Sequence, residues 1–508
     1  MDTLDLSRLQ FAVVTIYHYF FVPLSISLAA LTAGLQTAWL RTGREHLRDL
    51  TLLVGKLLMA TFAVGVVTGL VQEFQFGLSW SAFSRFYGDV FGPTLAIEGM
   101  LAFFLEATFL GLWFFGWDRL PRLAHLATIW IVAVGTVISA YVILAANSFM
   151  QNPVAYRMNP ETGRAELSNF LDLLANPVLH AAFPHTLAGA FMTGGALLMA
   201  IGAWRAWGRR PVVGRALGAD ATAWRTLARA GAWVTAVGGA AVAVTGDLLG
   251  KVMTDVQPMK MAAAEALYTT ETGAPFSLFA VGSLDGSERY FSLEIPYLLS
   301  FLGTGDIGGT IHGINDLQAE YEQVYGAASY VPWIPVAYWS FRLMIGTGVL
   351  AMLAAAALLW LSRRDRVPGT AVSGANDGAA NDGAADDGAA GSLARLVTTG
   401  GRALMWSLPV LPLLPIAANT FGWVFTETAR QPWLAFGLFR TEDGVSPGLT
   451  ESEVLASLVG FGLLYGLLAY VWFRLVMHLA RQDLGGSPSA PHDQPDDAGA
   501  APSIAPAY

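Results

Sequence analysis

GPTLAIEGMLAFFLEATFLGLWFFGWDRL, residues 92–120, is long enough to cross a bilayer and nearly all apolar, yet it carries two carboxylates, Glu98 and Glu106. Eight residues is a little over two helical turns, so the two sit on roughly the same side, about 12 Å apart in depth. A carboxylate held in mid-membrane costs about 2.5–3.5 kcal/mol on the insertion scale. A span that keeps two at that cost uses them on a proton, a metal or a bound ligand. Packing of both against a polar helix seam is the alternative.

The composition agrees with a membrane setting. Hydrophobic residues make up 54% of the 508 and charged residues only 13%, with a mean hydropathy of +0.49. Soluble domains carry about 25% charge, so length does not count soluble domains here. No signal peptide is expected, because residues 1–10 carry Asp2 and Asp5 and the apolar run after them is long enough to span. The net charge of −9 is spread through loops and tail without a basic cluster, which excludes nucleic acid as a partner. Cysteine is absent, which excludes c-type haem attachment, Cys-ligated iron–sulfur clusters and disulfides.

Nine apolar runs are long enough to span: 10–40, 51–74, 94–115, 124–148, 178–204, 223–248, 333–361, 403–428 and 452–478. Arginines follow the odd-numbered runs. Arg41, Arg44 and Arg48 follow the first, Arg119 and Arg122 the third, and Arg205, Arg209, Arg210 and Arg215 the fifth. Arg363, Arg364, Arg366, Arg395 and Arg402 follow the seventh, and Arg481 the ninth. The positive-inside rule then puts the N-terminus outside and the C-terminus inside. The expected fold is an all-α integral membrane bundle of about nine helices. Residues 1–248 form helices 1–6, 249–332 an outer loop, 333–362 helix 7, and 403–482 helices 8 and 9. The Asn-Asp-Gly-Ala repeats of 363–402 read as a flexible inner linker, and 483–508 as a disordered tail. The outer loop holds apolar stretches and aromatic residues, so it should fold on the membrane surface and carry function.

Few other ionisable residues lie within the spans. His18 is in the first, His185 at the outer end of the fifth, Arg342 and Met344 in the seventh, and Glu427 closes the eighth. Single histidines and a methionine on different helices suit axial ligation of haem. Arg342 could hold haem propionates; an ion pair with a glutamate is its alternative. Glu106 lies deeper than the rest among apolar neighbours, which suits a carboxyl that carries protons. His125 and Ser139, fourteen apart on the fourth span, fall within about 40° of one face and could mark a wet track from inside; an interfacial histidine and a backbone-bonded serine are the alternative. In the outer loop Lys260 and Glu265 are five apart, not an ideal helix pair, and a shared ligand accounts for them better than a surface bridge.

Together these residues resemble subunit I of cytochrome bd quinol oxidase, from the first span to about Ser446 with the linker left out. The motifs are Arg8-Leu9-Gln10-Phe11-Ala12 before Tyr17-His18, Glu73-Phe74-Gln75-Phe76-Gly77, Ala96-Ile97-Glu98-Gly99 with Phe103-Phe104-Leu105-Glu106-Ala107, and Met150-Gln151-Asn152-Pro153-Val154. Further along come Gln257-Pro258-Met259-Lys260-Met261 through Glu265, Ile295-Pro296-Tyr297, and Gly422-Trp423 through Trp433. One departure is Pro93-Thr94-Leu95, which reshapes the start of the third helix.

The resemblance implies the haem-bearing subunit of a copper-free terminal oxidase, of the branch with a short outer loop, in the bacterial cytoplasmic membrane. It implies two b haems, one low-spin and one high-spin, and one haem d. By motif, His185 and Met344 are the low-spin axial pair with Arg342 near them, His18 is the ligand of one high-spin haem with Glu98 close by, and Glu427 is the ligand of the other. Trp423 and Arg430 fall in the cofactor-binding set, Lys260 and Glu265 bind quinol, and Glu106, His125 and Ser139 match the proton route. The implied reaction oxidises quinol (menaquinol or ubiquinol) outside and reduces O2 to water with protons from inside. The implied partners are a second membrane subunit and a small single-helix subunit. A membrane haem electron-transfer subunit without oxygen chemistry is the alternative.

Overall fold

The computed structural model describes residues 2–208, 219–283, 287–363, 408 and 410–484. Almost all of the expected inner linker and tail lie outside these residues. The first long helix, α1 (Thr3–Thr42), starts where the Asp2 side chain accepts the Asp5 amide, and it stops at Gly43, whose φ of 66° turns the chain back. Then come α2 (Glu45–Leu78), α3 (Ser81–Gly99) and α4 (Ala107–Phe115), the last two joined by a π-helical stretch, Met100–Glu106. α5 (Arg122–Gln151) leads through the hairpin β1 (Tyr156–Met158) and β2 (Ala165–Leu167) to α6 (Phe170–Leu174). α7 (Pro177–Ala203) opens on a proline at its first position, capped by Asn176. α8 (Ala219–Val256) completes the first half.

Between α8 and α12 (Ile334–Ser362) lie three short helices, α9 (Pro258–Glu265), α10 (Leu298–Thr304) and α11 (Ile314–Tyr325). Two antiparallel pairs join them: β3 (Glu271–Thr272) with β6 (Thr310–Ile311), and β4 (Phe276–Gly282) with β5 (Arg289–Ile295). α13 (Leu413–Thr428), the hairpin β7 (Trp433–Ala435) and β8 (Phe439–Arg440), and α14 (Glu451–Arg481) follow. A capping box between Thr450 and Glu453 starts α14. Among the described residues eight helices are long and apolar enough to cross a membrane. The run expected at 403–428 begins outside the described residues, and its described part, α13, has 16 residues.

The helices pack as two groups. α2 pairs with α1, α5 lies against α1, α3 and α4, and α14 leans on α1 and α2. In the other group α7 pairs with α8, α12 lies against both, and α13 lies against α7 and α12. α1 and α5 touch α7 and join the groups. The α7–α8 contact is close enough to involve backbone: a Cβ on Gly231 would stand 2.3 Å from the Met199 amide nitrogen, and one on Gly202 would stand 2.4 Å from that of Ala228. The α8–α12 connection has its own core, with Met259, Leu267, Leu299, Ile314, Tyr321 and Tyr330 packing against Phe425 and Trp433. That core seats the connection on the end of α13.

Candidate functional site

Each expected histidine ligand is held by the helix that follows its own. His18 on α1 places Nδ1 3.0 Å from the Thr68 hydroxyl on α2. His185 on α7 places Nδ1 3.3 Å from the Thr245 hydroxyl on α8. Neither Nε2 has a hydrogen-bond partner among the described residues. Met344 on α12 lies against α13, where a Cβ on Gly422 would stand 3.1 Å from its sulfur. The next residue, Trp423, meets Tyr19 edge to face at 5.1 Å. Gly422-Trp423 therefore lies between the Met344 and His18 neighbourhoods. Two imidazoles held through Nδ1, with Nε2 left to a metal, and one half-buried thioether form a donor set that fits haem iron.

Both carboxylates of the opening stretch turn toward α5. The Ser139 hydroxyl reaches Glu98 at 3.4 Å. Glu106 is 4% exposed and packs against Gly135, four residues before Ser139; a Cβ there would stand 3.4 Å from Glu106 Cγ. The π-helical stretch between them was not anticipated: it widens the helix and carries Glu106 onto this close approach. Among the described residues Glu106 Oε1 is buried without a partner. His125 does not join this group. Its Nε2 donates to the Trp113 carbonyl at 2.7 Å, and its Nδ1 accepts from Gln36 at 2.8 Å. Gln36 in turn accepts the Trp113 indole N–H at 2.7 Å. These three bonds make a clamp joining α1, α4 and α5.

The third cluster sits where the α8–α12 connection meets α5 and α13. Glu427 accepts from Arg430, and from Asn147 on α5 at 3.1 Å. Lys260 is 6% exposed and donates to Gln151, also on α5, at 2.8 Å. Burial, with the Arg430 charge adding to it and Glu427 opposing, pulls the Lys260 amine down to about 7. Glu265 points elsewhere. It accepts from Arg342 at 2.6 Å, and the same guanidinium donates to the carbonyls of Ala264 and Ser277 at 2.7 and 2.8 Å. Arg342 is thus engaged in the glutamate pair, the alternative weighed against propionate binding. Sequence reasoning missed Thr68, Thr245, Asn147 and Gln36. Gln151 stood within a quoted motif, but without a partner it had no role.

A helical membrane bundle with single His and Met donors between its spans, beside a buried basic and acidic cluster, defines a haem-bearing integral membrane protein. The profile of the family described as cytochrome bd terminal oxidase subunit I matches residues 6–484. The chain is 38% identical over 492 residues to cytochrome bd ubiquinol oxidase subunit 1 of Bacillus subtilis, covering 95% of each chain. It is 34% identical to cytochrome bd-II ubiquinol oxidase subunit 1 of Escherichia coli, over 94% of this chain and 96% of that one. The solved bd oxidase of Geobacillus thermodenitrificans superposes with a TM-score of 0.78 at 27% identity, over 94% of this chain and 98% of that chain. The chain belongs to the cytochrome bd terminal oxidase subunit I family. It is a multi-pass bacterial membrane protein, and haem is the cofactor its family implies.

Proposed function

We propose that this chain oxidises quinol at the α8–α12 connection and reduces O2 to water within the bundle. The observation that carries the reading is on α5. Gln151 holds Lys260, and one turn earlier Asn147 holds Glu427. The lysine read as quinol-binding and the carboxylate read as a haem ligand are therefore anchored to one rigid element. Membership of a terminal oxidase family favours this over an electron carrier without oxygen chemistry.

His185 and Met344 would hold a low-spin b haem, His18 and Glu427 would hold a high-spin b haem and haem d, and Trp423 and Arg430 would line the haem region. Haem bound there supplies one-electron transfer and, where iron keeps an open position, a place for oxygen to be reduced. With nine spans, the N-terminus and the 249–332 connection would lie outside and the 363–402 linker and tail inside. Two quinols release four protons outside, and one O2 takes four from inside to make two waters. Lys260 accepts the quinol proton, Glu265 shapes that site through Arg342, and Glu98, Glu106 and Ser139 hold and pass protons along α5. A second membrane subunit, and a small single-helix subunit, complete the enzyme.

The deciding experiment is a reduced-minus-oxidised absorption spectrum of the purified protein. Wild type should show low-spin and high-spin haem. Met344→Leu should keep the fold and turn the low-spin signal high-spin, and His185→Ala should lose it. A low-spin signal that survives both changes rules out the axial assignment. The lysine gives a second prediction, from its position near neutrality. Neutral Lys260 is the proton acceptor, so quinol oxidation should rise as pH rises through about 7. Lys260→Leu should lose that step and slow turnover about 100-fold with haem spectra intact. Steady-state rates from pH 6 to 8 would show it, and an unchanged profile would remove Lys260 from the site.

A further inference from the structure

Val67-Thr68-Gly69 on α2 and Val244-Thr245-Gly246 on α8 are the same three residues. Each lies against a histidine of the helix before it, and α1–α2 and α7–α8 are each closely packed pairs. In both copies the threonine proton is already committed. Thr68 donates to the Gly65 carbonyl at 2.9 Å, and Thr245 donates to that of Ala241 at 2.7 Å. A hydroxyl has one proton, so toward imidazole it can only accept. With the threonine proton on the carbonyl, the histidine is the donor, as Nδ1–H, and its lone pair is left on Nε2. The adjoining glycine sets the ring's place. A Cβ on Gly69 would stand 3.1 Å from His18 Cε1, and one on Gly246 would stand 3.2 Å from His185 Cε1. In the glycine contacts of Gly202 and Gly231 the neighbour is backbone, whereas here it is the imidazole edge.

We propose that Thr68-Gly69 and Thr245-Gly246 are two copies of one histidine seat, in which threonine fixes Nε2 as the ligating atom and glycine fixes the tilt of the ring. The proposal rests on His18 and His185 being haem ligands, and it makes the four residues positioning residues. A hydroxyl acceptor is neutral, so it orients the imidazole and pushes less electron density onto it than a carboxylate would. The same seat would give two irons of different coordination a proximal histidine of equal donor strength.

The test is a redox titration of the intact oxidase, with absorption spectra, for wild type, Thr245→Val, Thr245→Ser, Gly246→Ala and His185→Ala. Valine keeps the shape of threonine and removes the acceptor. Losing the hydrogen bond behind a metal-ligating histidine weakens metal binding about 10–100-fold. A tenfold weakening that falls on the ferric form raises a one-electron potential by about 59 mV. Thr245→Val should therefore move the low-spin potential upward by about that amount, while Thr245→Ser stays at the wild-type value. Gly246→Ala should displace the ring and alter the low-spin spectrum. Thr68→Val should lower the iron–histidine stretching frequency of a high-spin haem in resonance Raman spectra. Wild-type potential and spectrum in Thr245→Val, with His185→Ala losing the low-spin signal, would overturn the seat and keep the ligand. A low-spin signal retained in His185→Ala would overturn the ligand assignment itself. If Thr245→Val fails to assemble, Gly246→Ala decides, and an unaltered spectrum there counts against the seat.

Discussion

Arg342→Leu should loosen the α8–α12 connection from the helices that carry it. The guanidinium bonds Glu265 at the end of α9 and the carbonyls of Ala264 and Ser277, so it ties α9 and β4 to α12. It also lies over the rings of Tyr338 and Phe276, at 4.4 and 4.7 Å. The arginine and glutamate side chains are 7% and 1% exposed. Removing one partner of such a pair leaves an uncompensated buried charge and costs about 3–5 kcal/mol, roughly two to four powers of ten in the open population of the connection. Limited proteolysis should cut the connection faster by about that factor, and quinol turnover should fall with it. Arg342→Lys should rescue little, because an ammonium cannot reproduce the planar fork. Arg342→Met combined with Glu265→Leu should be less sensitive to protease than Arg342→Leu alone, since no charge is then stranded. Equal cleavage of wild type and Arg342→Leu would show that the pair does not hold the connection.

Glu106→Gln should stop most proton delivery while leaving every haem in place. The amide keeps the shape and hydrogen bonding of the carboxyl and has no proton to release at neutral pH. General acid–base groups contribute about 10²–10⁴-fold, so the proton-consuming steps should slow by at least about 100-fold. Glu98→Gln should instead disturb a high-spin haem spectrum, because Glu98 is read as lying beside that site. Gly135→Ala moves Glu106 without removing it. Its Cβ would stand 2.8 Å from Leu105 Cδ2 and 3.4 Å from Glu106 Cγ, so a smaller loss is expected. The measurement is rapid mixing of each reduced variant with oxygen, following proton uptake and haem oxidation together. Normal uptake in Glu106→Gln, or a missing haem, would remove Glu106 from the route.

The long helices were legible because a span needs about 20 apolar residues, but hydropathy located the spans and not the helix ends: the run read at 94–115 lies in a helical segment that already begins at Ser81. The first, read at 10–40, extends to Thr3–Thr42. Its ends are amphipathic, and hydropathy fades before the helix does. The π-helical stretch was hidden because the residues from Met100 to Leu105 are apolar in any helical geometry, and composition does not distinguish an i→i+4 ladder from an i→i+5 one. Within the site, residue types that are rare in membranes stood out: His18, Glu98, Glu106, His185 and Glu427. Their partners did not. Thr68, Asn147 and Gln36 are common residues whose meaning depends on what lies across the helix interface, and no spacing along one chain segment reveals it. Arg342 shows the same limit. Its charge marked it, and only packing brought Glu265 to it from 77 residues away.

The pair Asn147 and Gln151 bears on how the gene can tolerate change. Inserting one residue between them would rotate everything beyond by about 100° and leave either Lys260 or Glu427 without its amide. No compensating shift elsewhere could restore both. The β4–β5 hairpin has no such constraint. Its turn can lengthen or shorten without moving α9, because α9 is held by Gln151 and Arg342. Length variation should therefore accumulate in the hairpin, and the four-residue interval on α5 should stay fixed.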